Sequence, residues 1–115
     1  MSVVVKTLPE FDRRAKRLAK KYKSFKQDLQ TLVASLMQRP TQGAALGQGG
    51  IYKVRMSIAA KGGGKSGGAR VLTYVIEERP EGDYEITLLT VYDKSEIQNV
   101  SNVYMASLIA ELNSR

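Results

Sequence analysis

Apolar residues along this chain alternate between helical and strand spacing, and the changes of period divide it into elements. Val3, Val4 and Val5 read as a short opening strand. Pro9, within Thr7-Leu8-Pro9-Glu10, suits a first helical turn, where its missing N–H is not needed and its fixed φ is already helical. Behind it Phe11, Ala15, Leu18, Ala19 and Tyr22 fall on one helical face, while Arg13, Arg14, Lys16, Arg17, Lys20 and Lys21 occupy the rest. This predicts an amphipathic and very basic helix. Ser24-Phe25-Lys26-Gln27 carries a capping-box pattern, so the Ser24 hydroxyl and the Gln27 amide are expected to take up free N–H groups at the start of a second helix. Phe25, Leu29, Leu32, Val33, Leu36 and Met37 keep helical spacing up to Pro40, which cannot continue it. Two helices joined by so short a turn form a hairpin.

Thr41 to Gly50 is rich in Gly, Gln and Ala and reads as a loop. Beyond it Tyr52, Val54, Met56 and Ile58 alternate with Lys53, Arg55, Ser57 and Ala59, the period of a half-buried strand, so Lys53 and Arg55 share a face. Val71 to Ile76 is nearly all apolar, as a central strand is. Residues 77–85 form a turn, Glu85 to Tyr92 another strand, and from about Ser101 the positions Val103, Tyr104, Leu108, Ile109 and Leu112 return to helical spacing. The order β-α-α-β-β-β-α predicts an α+β fold in a single domain over residues 1–115. We expect a small, curved, mostly antiparallel sheet with the helical hairpin on one face and a C-terminal helix. The other face is expected to stay open, gathering Lys53, Arg55, Arg70 and the Tyr92 to Lys94 end across neighbouring strands.

Composition narrows the chemistry. A chain of 115 residues suffices for one core without metal or disulfide staples. Cysteine and histidine are both absent, which excludes disulfide scaffolds, thiolate zinc sites and histidine acid–base catalysis. No metal or cofactor is expected. No stretch has the pattern of a signal peptide or the length of a membrane span, so a soluble cytoplasmic protein without a membrane partner is expected. The net charge of +7 is uneven. Residues 1–40 carry ten Lys/Arg and three acids, residues 41–75 carry five and none, and residues 76–115 carry three and eight. Basic surface of this kind points to a polyanion, most often nucleic acid.

The most unusual stretch is Lys61 to Arg70, ten residues of which five are glycine. Two residues close a tight hairpin, so the run is read as functional: a basic flap able to close over an RNA backbone. A phosphate-binding P-loop is excluded, because Ala59 stands where its first glycine belongs and a strand follows instead of a helix.

The segments IYKVRMSIAAKGGGKSGGARVLTYVI and ITLLTVYDKSEIQNVS, with the basic hairpin and the C-terminal helix, resemble the RelE/ParE superfamily of toxins from bacterial type II toxin–antitoxin modules, nearest its RelE/HigB-like branch. The resemblance implies a ribosome-dependent endoribonuclease, an mRNA interferase that cuts mRNA in the A site of the 70S ribosome, inhibits translation and is restrained by a cognate antitoxin. It implies that Lys53, Arg55, Arg70, Tyr92 and Lys94 form the catalytic set, metal-independent and using the 2′-hydroxyl as nucleophile. Arg70 would clamp phosphate, Lys53 or Tyr92 would be the base, and Lys94 the acid. The family's second strand-borne basic residue is a lysine able to lose its proton; here Arg55 stands there and cannot. Lys61 and Lys65 are expected to bind RNA backbone, and Arg13, Arg17, Lys20 and Lys21 to dock on the ribosome. Asp93 and Glu96 are expected to cap the turn after the last strand. Two alternatives remain open: a ParE-like toxin that blocks gyrase, and a non-catalytic RNA- or ribosome-binding protein.

Overall fold

The computed structural model describes residues 1–47, 49–62, 64, 67–78 and 82–114. The chain runs β1 (Ser2–Thr7), α1 (Pro9–Lys21), α2 (Phe25–Gln38), β2 (Ala44–Ala45), β3 (Ile51–Met56), a single 3-10 turn (Ala59–Lys61), β4 (Ala69–Glu78), β5 (Asp83–Asp93) and α3 (Asn102–Asn113). The five strands form one sheet in the order β1-β5-β4-β3-β2, antiparallel throughout except for β1, which lies parallel to β5. This is the expected α+β architecture with one addition. The loop before β3 contributes the two-residue edge strand β2, pairing Ala44 with Lys53 and Ala45 with Tyr52.

The hairpin α1–α2 covers one face. Phe11, Leu18, Phe25, Leu32 and Leu36 pack on Val54, Met56, Val71, Ile86, Leu88 and Val91. Each such side chain contributes roughly 1.5–3 kcal/mol on leaving water, so the hairpin is held by its apolar stripe rather than by its caps. The Ser24 capping box does not form. Ser24 Oγ instead donates to Asp28 Oδ2 at 2.7 Å and accepts from the Ala60 N–H at 2.8 Å, while Asp28 Oδ2 accepts from the Ala59 N–H at 3.1 Å. The start of α2 therefore fastens the chain where it leaves β3.

The opposite face is not open along its whole length, contrary to expectation. Helix α3 lies on it and completes a second core of Leu8, Ile51, Leu72, Leu89, Met105 and Leu108. Ser101 caps α3 by accepting from the Tyr104 N–H at 3.0 Å. The Tyr104 hydroxyl meets Thr90 Oγ1 at 2.7 Å and donates to Glu10, and Arg14 lies 5.3 Å from the centre of the Tyr104 ring. Among the described elements no helix covers the end of the sheet where β3 finishes, β4 begins and β5 finishes.

A bulge in β5 decides which side chains reach that end. Leu72 pairs with Thr90 but Thr73 pairs with Leu88, so Leu89 has no partner across the ladder. Leu89 and Thr90 both turn to the α3 side, and alternation resumes with Val91 under the hairpin and Tyr92 on the α3 side. Bulges commonly re-aim side chains in this way. Without the extra residue, strict alternation from Leu88 would bury Tyr92 beneath α1.

Candidate nucleic-acid interface

Alternation along β3 places Val54 and Met56 under the helices and Lys53 and Arg55 on the other face; in β4 it places Val71 under the helices and Arg70 opposite. The ladder sets Arg55 directly across from Arg70, and Arg70 directly across from Tyr92. Lys94 follows β5, its N–H donating to the Gly68 carbonyl at 3.0 Å. These groups border an open groove of about 490 Å³ lined by Arg39, Gln42, Gly43, Ala44, Lys53, Val54, Arg55, Arg70 and Lys94. Five of the nine lining residues are cationic and none is acidic.

The groove exists because β2 is short. Its pairing stops at Lys53, so the outer edge of β3 beyond that point is bare, and the segment after α2 folds beside it. Gln42 Nε2 donates to Ser35 Oγ at 2.9 Å and to the Arg39 carbonyl at 3.2 Å, closing that segment into a turn. Gly43 has φ +100°, and a Cβ there would lie 2.6 Å from the Lys53 carbonyl oxygen. Only glycine lets the loop lie this close to β3. This turn delivers Arg39, which sequence reading did not single out. Its position between the last turn of α2 and Pro40 was a signal, but the charge was counted with the basic hairpin.

Two site residues are more enclosed than a substrate-facing role predicts. Arg70 is only 4% exposed, and its Nη1 donates to the Ala69 carbonyl at 3.0 Å. Tyr92 is also 4% exposed, and its hydroxyl has no hydrogen-bond partner among the described residues. Burial pushes the Tyr92 pKa up and the Arg70 charge only partly offsets this, so the phenol stays protonated at neutral pH. In this protonated form Tyr92 is a hydrogen-bond donor. Arg55 is exposed, Lys94 is half-buried, and Lys53 Nζ reaches Asn99 Oδ1 at 3.4 Å.

Lys61 stands apart from this set. Its ammonium donates to the buried Asp93 Oδ1 at 2.7 Å and lies 5.8 Å from the centre of the Tyr22 ring. Asp93 also accepts from the Tyr22 hydroxyl at 2.5 Å and from the N–H and Oγ of Ser95 at 2.9 and 2.7 Å. Burial works to raise the Asp93 pKa, but the bonds from Lys61, Tyr22 and Ser95 outweigh it and hold the carboxyl far below the usual carboxylate range. Asp93 thus caps its turn, as expected, and also joins the end of α1 to the base of the glycine-rich segment. Lys61, expected to bind RNA backbone, is thus already paired with a buried carboxylate. Lys65 lies outside the described residues.

The last glycine of that segment has a packing reason. A Cβ on Gly68 would lie 2.1 Å from the Met56 carbonyl oxygen, because β4 enters across the end of β3.

On α1, Arg17 holds Glu96 through two bonds of 3.0 and 2.7 Å, Lys21 adds a third at 3.3 Å, and Arg13 pairs with Glu10. The Arg17 and Lys21 charges keep the Glu96 pKa low. Lys20 is exposed and has no ion pair among the described residues. The outer face of α1 and the groove lie on opposite sides of the sheet. No described helix is long and apolar enough to cross a membrane.

No protein-family model matches the chain. Among solved structures the fold is similar to that of an arginine-to-alanine double mutant of the E. coli toxin RelE in the free state. The TM-score is 0.56 at 15% sequence identity, over 85% of this chain and 90% of that one. The architecture of sheet, N-terminal hairpin and C-terminal helix is therefore RelE-like.

Proposed function

We propose that the protein is the toxin of a type II toxin–antitoxin module, an endoribonuclease that enters the ribosomal A site and cuts mRNA there. The observation that carries this reading is the groove at the end of the sheet, where Arg55 and Arg70 stand directly across from each other in the ladder and five of the nine described lining residues are cationic. A phosphate diester suits such a lining, since guanidinium groups hold phosphate oxygens in pairs.

The residues then divide the reaction as follows. Arg55 and Arg70 hold the scissile phosphate and stabilise the charge that builds on its oxygens. Lys53, acting as its neutral amine, takes the proton of the 2′-hydroxyl as that oxygen attacks the adjacent phosphorus. The bond from phosphorus to the 5′-oxygen breaks, and Lys94 protonates the departing oxygen. The products are a 2′,3′-cyclic phosphate and a 5′-hydroxyl end. Tyr92, protonated, donates rather than accepts. The basic face of α1, with Arg13, Arg17, Lys20 and Lys21, docks on ribosomal RNA, and a cognate antitoxin restrains the protein.

Primer extension on a defined mRNA in a purified translation system tests this. Cuts within codons that need the ribosome, and that fall about 10²-fold or more in Arg55→Ala and in Arg70→Lys, are expected. Arg70→Lys keeps a charge at a buried position and so separates lost chemistry from lost folding. Intact mRNA during active translation, with the protein folded, refutes the reading.

A further inference from the structure

The edge of the sheet away from the groove is formed by β1, which runs parallel to β5 without a bulge; no described segment pairs with its outer side. Ser2 and Leu8 give their N–H groups to the Gly82 and Leu88 carbonyls at 3.2 and 3.0 Å, so the even-numbered residues turn their backbone toward β5. Val3, Val5 and Thr7 turn theirs outward, where these groups have no partner among the described residues. Edge strands are ordinarily protected by charge, proline or a bulge against pairing with another chain. Val3, Val4 and Val5 carry none of these. Val4 is 50% exposed on the α3 side of the sheet. On the other side α2 lies against β1, Leu29 and Val33 join the same core as Val3 and Val5, and Met37, one turn further along, is exposed. From Leu29 to Gln38 this helix has no charged residue, the composition of an interface core rather than of free surface.

We propose that β1 pairs antiparallel with β1 of a second copy of this chain, about a two-fold axis at Val4, joining the two sheets into one. The charges along the edge select this partner and this register. Lys6 stands near one end of β1 with its side chain exposed; the other end, at Ser2, adjoins Asp83, whose Oδ1 accepts from the Ser2 N–H at 3.1 Å. A partner strand of a single sign matches only one of these ends. The pattern that matches both is the same strand reversed. Outward backbone groups meet only where odd positions face odd positions, so Val3 pairs with Val5 of the second copy, Val4 meets Val4, and Lys6 faces Ser2. Lys6 and Asp83 point to one face of the sheet, so Lys6 then reaches toward Asp83 of the second copy across two strand spacings, about 10 Å between Cα positions. Two-fold symmetry repeats the pair at the other end. Parallel pairing would set Lys6 beside Lys6. The groove lies toward the opposite edge of the sheet, so the inference stands apart from the ribonuclease reading.

Sedimentation equilibrium and amide exchange on the intact protein test this. The mass of two chains is expected as concentration rises, with exchange at the Val3 and Val5 amides slowing about tenfold alongside it. Val4→Lys alters an exposed side chain, sets like charges face to face at the axis, and should weaken self-association about fivefold or more while the protein stays folded. Lys6→Asp and Asp83→Lys should each weaken self-association as well. Mixed together, those two variants should associate with each other more tightly than either does with itself, because both ends of the mixed pair again join opposite charges. Neither a folding defect nor contact through another surface gives that recovery. A wild-type protein that is monomeric at roughly millimolar concentration, a dimer indifferent to Val4→Lys, or no recovery in the mixture overturns the proposal. Val3 and Val5 amides that slow only when a different protein is added assign the edge to that protein and overturn it too.

Discussion

Replacing Tyr92 by phenylalanine should make the protein more stable and less active. The Tyr92 hydroxyl is buried with no partner among the described residues, and an unpaired buried polar group costs about 1–3 kcal/mol. Phenylalanine keeps the ring and leaves no cavity among Leu72, Met105 and their neighbours. The gain should therefore be about 1 kcal/mol or more, which for a domain of this size raises Tm by about 4 °C. Calorimetry on both proteins at neutral pH measures it, where the phenol is protonated. If the hydroxyl is the donor assigned above, cutting in the translation system falls about 10²-fold in the same variant. A drop in Tm of several degrees would refute the reasoning, since it would mean that the hydroxyl is bonded in the folded protein. A rise in Tm with undiminished cutting would strip Tyr92 of its donor role.

Three further outcomes follow from the geometry. Arg55→Thr removes an exposed cation from the groove and keeps β propensity, so it should change stability by no more than about 0.5 kcal/mol in a urea melt while abolishing cutting. Asp93→Asn leaves the half-buried Lys61 ammonium without its carboxylate and should cost about 3 kcal/mol at pH 7. In the wild type the Asp93 pKa is depressed on folding, so the unfolded chain binds the extra proton. Stability is then complete above the unfolded value of 3.8 and is lost as pH falls below it, a slope that Asp93→Asn should flatten in acid-unfolding curves. Gly68→Ala drives a methyl against the Met56 carbonyl and should cost about 2–3 kcal/mol by chemical denaturation, the penalty of an overpacked backbone contact.

Much of the fold was legible in the chain because its elements are set by local periods. Pro9 opens α1, Leu18 and Leu32 mark the buried stripes, and the alternation from Tyr52 to Met56 sets the faces of β3. The elements that were misjudged depend on distant partners. Ala44 and Ala45 have weak strand character and pair only because Gly43 lets the loop lie against β3. Ser24 has the spacing of a cap, yet its hydroxyl bonds Asp28 and the Ala60 N–H, a residue 36 positions away. Helix α3 was foreseen, but nothing in its spacing says which face of the sheet it covers.

The candidate site divides in the same way. That Lys53, Arg55 and Arg70 share one face follows from sequence alone, because side chains in a strand alternate with period 2 and charge does not enter an apolar core unpaired. The sequence likewise determined that no thiol or imidazole takes part. Tertiary structure decided that Lys61 pairs with Asp93, that Arg39 joins the groove, and that Tyr92 faces Arg70 at all. The last depends on one unpaired residue, Leu89, in a ladder between β4 and β5. A bulge is a property of two strands in register, so it is settled only when they pair.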